Sequence, residues 1–217
     1  MPILLCAATP AEIAPTIEVL TAPKLSDKVE VLLTDVGLLQ ATYAITKAAA
    51  VLKPTIIIQA GVAGCFDETI PLGTVMTVLR ETVGDMGVLQ NNTFTSAFAM
   101  GLLKANEHPW TGEKLENPHT DLLKMASFVL ADSVTVNEIS TSEERISYYK
   151  NGLGATVESM EGAALHFVAL MERIPFLQLR AVCNYVGERD KEKWDMTLAI
   201  DNLNAALQSI LPNLVQL

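Results

Sequence analysis

The sequence predicts an α/β fold, a sheet with helices packed on its faces, and three observations predict it. Short apolar runs alternate with helical patterns along the whole chain, which is the signature of that class. One run, TIIIQA at 55–60, has the β-branched density of a strand covered on both sides. Half of the 217 residues are hydrophobic and only 18% are charged, enough apolar surface for the core of one compact domain spanning 1–217.

The elements follow in order. Ile3 to Ala7 reads as a buried first strand, and a helical segment follows to about Leu20. Val29 to Thr34 is a second strand, and the Ala-rich stretch Leu39 to Leu52 is a helix that Lys53 and Pro54 end. TIIIQA runs directly into GVAG at 61–64, whose glycines predict a turn leaving the strand. Pro71, Leu72 and Gly73 predict another turn, into a strand from Thr74 to Glu81. Residues 82–120 lose periodicity and collect Asn91, Asn92, Pro109, Trp110, Gly112 and Pro118, so they read as a long excursion with one short helix near Thr95 to Leu103. Beyond it come a strand from Ser127 to Val136, a helix near Ser142 to Lys150, and a strand around Thr156. The chain finishes with a helix headed by Glu161, a strand from Phe176 to Val182, and a helix from Thr197 to Leu211.

Composition excludes several functions. The net charge is −10 with no basic run, so nucleic acid is not a partner. No apolar stretch approaches the ~18 to 20 residues of a membrane span. The first basic residue is Lys24 and the initial apolar run breaks at Thr9 and Pro10, which reads as a strand and not a signal peptide. Cys6, Cys65 and Cys183 are odd in number and far apart, as expected of reduced thiols in a cytoplasmic protein. His108, His119 and His166 have no Cys, Asp or Glu at ligand spacing, so no metal site and no cofactor are expected.

Four stretches could carry chemistry. In VESMEGAALHF, Glu161 heads ten residues, Gly162 to Met171, without an Asp, Glu, Lys or Arg. A carboxylate in apolar surroundings costs several kcal/mol unless donors meet it. The two adjacent hydroxyls of a ribose would meet it, with Met160 against the sugar face; so, equally, would the N-terminal end of its own helix. GVAG offers Gly61 and Gly64 either for close approach of a ligand or for a tight turn. Thr9-Pro10-Ala11-Glu12 fits a capping box, although Pro15 would bend such a helix and free Glu12 to act as a base. Asn184 ends a buried strand ahead of a charged loop, where its amide suits the O6 and N7 edge of a 6-oxopurine or simply forms a turn.

Taken together, Glu12, GVAG, VTVNE, VESMEG and CNYVGERD resemble the nucleoside phosphorylase and nucleosidase superfamily, and within it most closely the futalosine hydrolases. The resemblance covers nearly the whole chain and is weakest over 82–120. It implies a three-layer α/β/α sandwich with a central mixed, partly barrel-like sheet, a purine nucleoside as the small-molecule partner, and a homo-oligomer. It implies an N-ribosyl hydrolase that releases hypoxanthine from futalosine in menaquinone biosynthesis. Glu12 would activate the attacking water, and Met160 and Glu161 would hold the ribosyl group. Thr135 and Val136 would line the base pocket, and Gly61 and Gly64 would border the sugar and water.

Two departures refine the expectation. Asn184 stands where methylthioadenosine/adenosylhomocysteine nucleosidases have an Asp that helps protonate adenine; an amide can only donate to charge developing on the purine. Gln59 and Val62 stand where many phosphorylases have the Arg and Ser that bind phosphate, so water is the expected nucleophile. The rival readings are a methylthioadenosine nucleosidase and a non-catalytic nucleoside-binding protein.

Overall fold

Alternating apolar side chains let one strand serve two cores, and the first strand does so in a computed structural model describing residues 2–21, 27–91 and 93–216. The chain runs β1 (Ile3–Ala7), α1 (Pro10–Leu20), β2 (Val29–Leu33), α2 (Leu38–Leu52), β3 (Ile56–Cys65), β4 (Val75–Val83), β5 (Gly87–Gln90) and β6 (Thr93–Ser96). It continues through β7 (Leu115–Glu116), α3 (Thr120–Ala126), β8 (Val129–Thr135), α4 (Glu143–Ser147), β9 (Val157–Ser159), α5 (Gly162–Glu172), β10 (Phe176–Tyr185) and α6 (Met196–Leu214). Ile3, Leu5 and Ala7 face a core shared with α1, α3 and α6, whereas Leu4 and Cys6 face one shared with α2 and α5. Two helical layers therefore enclose one sheet.

The sheet is mixed and closes on itself. β2, β1, β3 and β10 pair in parallel; β10 then pairs antiparallel with β4, β4 and β8 pair in parallel, and so do β8 and β9. Antiparallel pairing of β9 with β3 completes a five-stranded barrel from β3, β10, β4, β8 and β9. This is the three-layer, partly barrel-like architecture that the resemblance implies.

Three expectations need correction. GVAG is not a turn: β3 continues through it to Cys65, in register with Arg180 to Tyr185 of β10. Neither Gly61 nor Gly64 has a positive φ, so their glycines answer a need for space. No helix forms near Thr95 to Leu103, because Thr95 and Ser96 pair with Val88 and Gly87 in a hairpin and the chain then turns to Gly101 at φ +72°. α3 was not anticipated, since at seven residues it carries too short a pattern to read. Asn92, expected within the irregular excursion, lies outside the described residues.

Candidate active site

The C-terminal ends of β1, β3, β9 and β10 converge on one cavity of about 290 Å³, the edge at which open α/β sheets bind ligands. Of the residues singled out above, Glu12, Gly64, Met160, Glu161 and Asn184 line it. Gly61 packs beside Glu12 but is not part of the lining, and Thr135 and Val136 also lie outside it.

Glu161 occupies the position preceding α5 but makes no side-chain bond to its own helix. Its Oε1 accepts from the Gly37 amide at 3.0 Å, and its Oε2 is 3.7 Å from Arg180 Nη1. The first amides of α5 are met instead by Ser159 Oγ, from Gly162 at 3.3 Å, and Thr135 Oγ1, from Ala163 at 2.8 Å. Glu161 is only 7% exposed, lines the cavity, and as a carboxylate has accepting capacity beyond these contacts.

Glu12 joins both of its sequence readings. Its Oε2 accepts from the Thr9 amide at 2.9 Å and the Thr9 hydroxyl at 3.2 Å, as a capping carboxylate does. Its Oε1 accepts from the Val62 amide at 3.2 Å and so lies at the cavity wall. Helix α1 continues through Pro15, and Asn204 of α6 bridges the turn around it: Asn204 Nδ2 donates to the Glu12 carbonyl at 2.9 Å, and its Oδ1 accepts from the Thr16 amide at 3.0 Å. Those two backbone groups are the i, i+4 pair spanning Pro15. Asn204 thereby ties the last helix to the backbone of the proposed base.

Arg180, on β10, was missed, although a lone Arg inside FLQLRAVC is a signal in itself. The guanidinium is 2% exposed. Its Nη2 donates to Gln59 Oε1 at 3.0 Å, and Gln59 Nε2 in turn donates to the Glu161 carbonyl at 3.2 Å. A Cβ on Gly61 would lie 2.5 Å from Arg180 Nη1 and 2.8 Å from Glu12 Oε1, closer than any such atom can approach. Glycine at this position lets a guanidinium and a carboxylate both approach the same face of the strand.

Glu158 is a further cavity carboxylate, one that sequence reasoning passed over. It lines the cavity and accepts from the Ser140 amide at 3.1 Å and from the Ser140 hydroxyl. Burial pushes its carboxyl up, and the two bonds from Ser140 oppose that. At the other end, an irregularity in the β10–β3 register at Cys183 re-aims the strand and brings Asn184 to the cavity. Asn184 Nδ2 donates to the Tyr185 carbonyl at 2.9 Å, and Oδ1 accepts from Cys183 Sγ at 3.1 Å. Val186, Trp194 and Met196 supply apolar walls there, with Arg189 stacked 5.5 Å from the Trp194 ring.

Thr135 and Val136 are fully buried. The Thr135 hydroxyl donates to Glu81 Oε1 at 2.9 Å, and Val136 packs in a cluster with Phe66 and Tyr149. Cys6, Cys65 and Cys183 are free thiols. Among the described residues no group of three His, Cys, Asp or Glu side chains could hold a metal, and no helix is long and apolar enough to cross a membrane.

The chain and its fold have known counterparts. No protein-family model matches the chain. It is 26% identical over 157 residues to the futalosine hydrolase of Streptomyces coelicolor, a match covering 72% of this chain and 65% of that protein. It is 25% identical over 180 residues to the futalosine hydrolase of Thermus thermophilus, covering 82% and 79%. By sequence its relatives are futalosine hydrolases. The match spans just under two thirds of the Streptomyces relative. A futalosine hydrolase mutant of Helicobacter pylori superposes with a TM-score of 0.82 at 17% identity, covering 98% of this chain and 99% of that one. A methylthioadenosine/adenosylhomocysteine nucleosidase from Colwellia psychrerythraea, solved with adenine, superposes at 0.81 with 18% identity, covering 99% and 96%. The fold is that of the nucleosidases.

Proposed function

We propose that the chain is an N-ribosyl hydrolase that cleaves the purine N-glycosidic bond of futalosine and releases hypoxanthine. The observation that carries this reading is the Glu161 carboxylate, which makes no capping bond to its own helix and borders the same cavity as Glu12. In the reaction the C1′–N9 bond lengthens and the ribosyl centre becomes oxocarbenium-like. Glu161 accepts from the ribose 2′ and 3′ hydroxyls, so contacts remote from the reacting carbon become alignment at it. Glu12, held by Thr9 and Val62, polarises the water that adds to C1′. Asn184 donates to the departing purine.

Charge favours water over phosphate as the nucleophile. Gln59 and Val62 leave the phosphorylase positions without Arg or Ser, and Arg180, which packs against Gly61 and bonds Gln59, does not itself line the cavity. Glu161 lies within ion-pair distance of that single cation, and Glu12 borders the same Gly61. Glu158 and Glu188 also line the cavity, as does Arg189, and Glu188 is paired with Lys193 at 2.6 Å. A phosphate dianion would enter a site that is already net negative.

The test is chromatography of reactions with futalosine, inosine and methylthioadenosine, each with and without phosphate. Free hypoxanthine and an unphosphorylated ribosyl product from futalosine in phosphate-free buffer are expected. Preferential release of adenine from methylthioadenosine would favour the rival nucleosidase. Binding without turnover of any nucleoside would leave Glu12 as a cap alone.

The functional unit in this reading is a cytoplasmic homo-oligomer. The buried free thiols suit a reducing compartment. Leu39, Tyr43 and Val51 on α2 are 79%, 69% and 73% exposed, an apolar stripe that a second subunit would cover. Sedimentation at assay concentration giving a fully active monomer would contradict the oligomer.

A further inference from the structure

Behind the cavity lies a buried carboxylate that the proposed chemistry does not use. Glu81 of β4 is 0% exposed. Its Oε1 accepts from Thr135 Oγ1 at 2.9 Å, and its Oε2 accepts from Gln178 Nε2 at 3.0 Å. Ionised, as it is above about pH 7, this carboxylate can only accept, so there Thr135 spends its one hydroxyl proton on Glu81 and keeps its lone pairs for other donors. One such donor is the Ala163 amide at 2.8 Å, two residues beyond Glu161. Glu81 also abuts Gly162, where any Cβ would overlap the carboxylate and the Gln178 amide. The residue directly after Glu161 therefore sits on the Glu81 carboxylate, and the next is bonded through Thr135. Of the polar ties on this turn, the Thr135 bond is shorter than those from Ser159 at 3.3 Å and Gln59 at 3.2 Å.

On the nucleosidase reading of the cavity, we infer that Glu81 and Thr135 are positioning residues for the ribose-binding carboxylate. Glu81 fixes the direction of the Thr135 hydroxyl, Thr135 anchors the first turn of α5, and that turn sets Glu161 at the cavity. Thr135 thus serves the sugar from behind and does not line the base pocket. Gly162 belongs to the same device, since a larger residue would push the turn off its seat.

The test compares futalosine kinetics of the wild type, Thr135→Val, Thr135→Ser and Glu161→Gln, with thermal melts confirming folding. Thr135→Val keeps the shape and removes the hydroxyl, so it should raise KM and lower kcat/KM by about 10- to 100-fold, as expected for a displacement near 1 Å. Thr135→Ser should return to within about threefold of wild type. A loss of active molecules alone would leave KM unchanged. Should Thr135→Val not fold, Thr135→Ala leaves room for a water and is judged by the same values. Kinetics of the folded variant within about threefold of wild type, while Glu161→Gln is disabled, overturns the inference. If the wild type hydrolyses no nucleoside, the reading of the cavity fails on its own account. Amide exchange then decides: the inference requires faster exchange at Ala163 and a shifted Glu161 carboxyl carbon resonance in the variant, and unchanged signals overturn it.

Discussion

Replacing Glu81 by Gln should expose a pH dependence of stability that the wild type conceals. Glu81 and His166 are both fully buried, and Gln178 donates to Glu81. Burial pushes the Glu81 carboxyl from 4.5 up to about 7, against the Arg180 guanidinium and the bonds from Gln178 and Thr135. Burial also pushes His166 from 6.5 down to about 4; Arg180 adds to that, and the Leu115 carbonyl, 2.9 Å from Nδ1, opposes it. Between pH 4.5 and 7 the folded protein keeps a Glu81 proton that the unfolded chain has lost, so this contribution falls as pH rises. Between pH 6.5 and 4 the unfolded chain takes up a His166 proton that the folded protein refuses, so that contribution falls as pH drops. Each displacement corresponds to about 3 kcal/mol, and where the windows overlap the two slopes oppose each other.

Gln fits at position 81 because its carbonyl can still accept from Thr135, and Gln178 Oε1, unpartnered among the described residues, can turn to meet its amide. The variant keeps only the His166 slope. Between pH 7 and pH 5 it should lose about 2 kcal/mol that the wild type does not lose, read from urea midpoints at pH 5, 6 and 7 with m constant. His166→Asn should do the reverse and gain stability relative to wild type on acidification. Parallel profiles for wild type and Glu81→Gln across this range would refute the reasoning.

Other outcomes follow from the site. Glu161→Gln should lower kcat on futalosine by about 10² to 10³ through loss of oriented hydrogen bonds, measured in the steady state. Gly61→Ala places a methyl 2.5 Å from Arg180 Nη1, so kcat/KM should fall at least about tenfold while the circular-dichroism spectrum is retained. Asn204→Leu strips partners from the Glu12 carbonyl and the Thr16 amide and should cost about 1–3 kcal/mol in urea denaturation. Asn184→Asp should raise turnover of adenine nucleosides relative to hypoxanthine nucleosides, compared by released base.

Much of this molecule is legible in its sequence, and the rest is hidden for identifiable reasons. Strands that are apolar on both faces announce themselves: Ile3–Ala7 has the expected ends. Glu161 and Glu12 are conspicuous because each is an acid beside an apolar run, and both border the cavity. GVAG misleads because a glycine needed for space reads the same as one needed for a turn. What makes it necessary is Arg180, 119 residues away, whose guanidinium fills the space a Cβ would occupy. Thr135 misleads for a similar reason. A hydroxyl near the end of a strand can face a ligand or the core, and only its partner Glu81 decides which. The helix expected near Thr95 to Leu103 yields to a hairpin whose pairing depends on Gly87 and Val88, outside that window.

The central claim is that the Glu161 carboxylate receives the vicinal hydroxyls of a ribose. A crystal structure of the protein with a non-hydrolysable purine riboside tests it most directly. The account predicts Glu161 oxygens about 2.5–3.0 Å from O2′ and O3′, with Glu12 facing C1′ and Asn184 at the purine. A riboside bound elsewhere, or bound here with Glu161 still engaged only by Gly37 and Arg180, would contradict it.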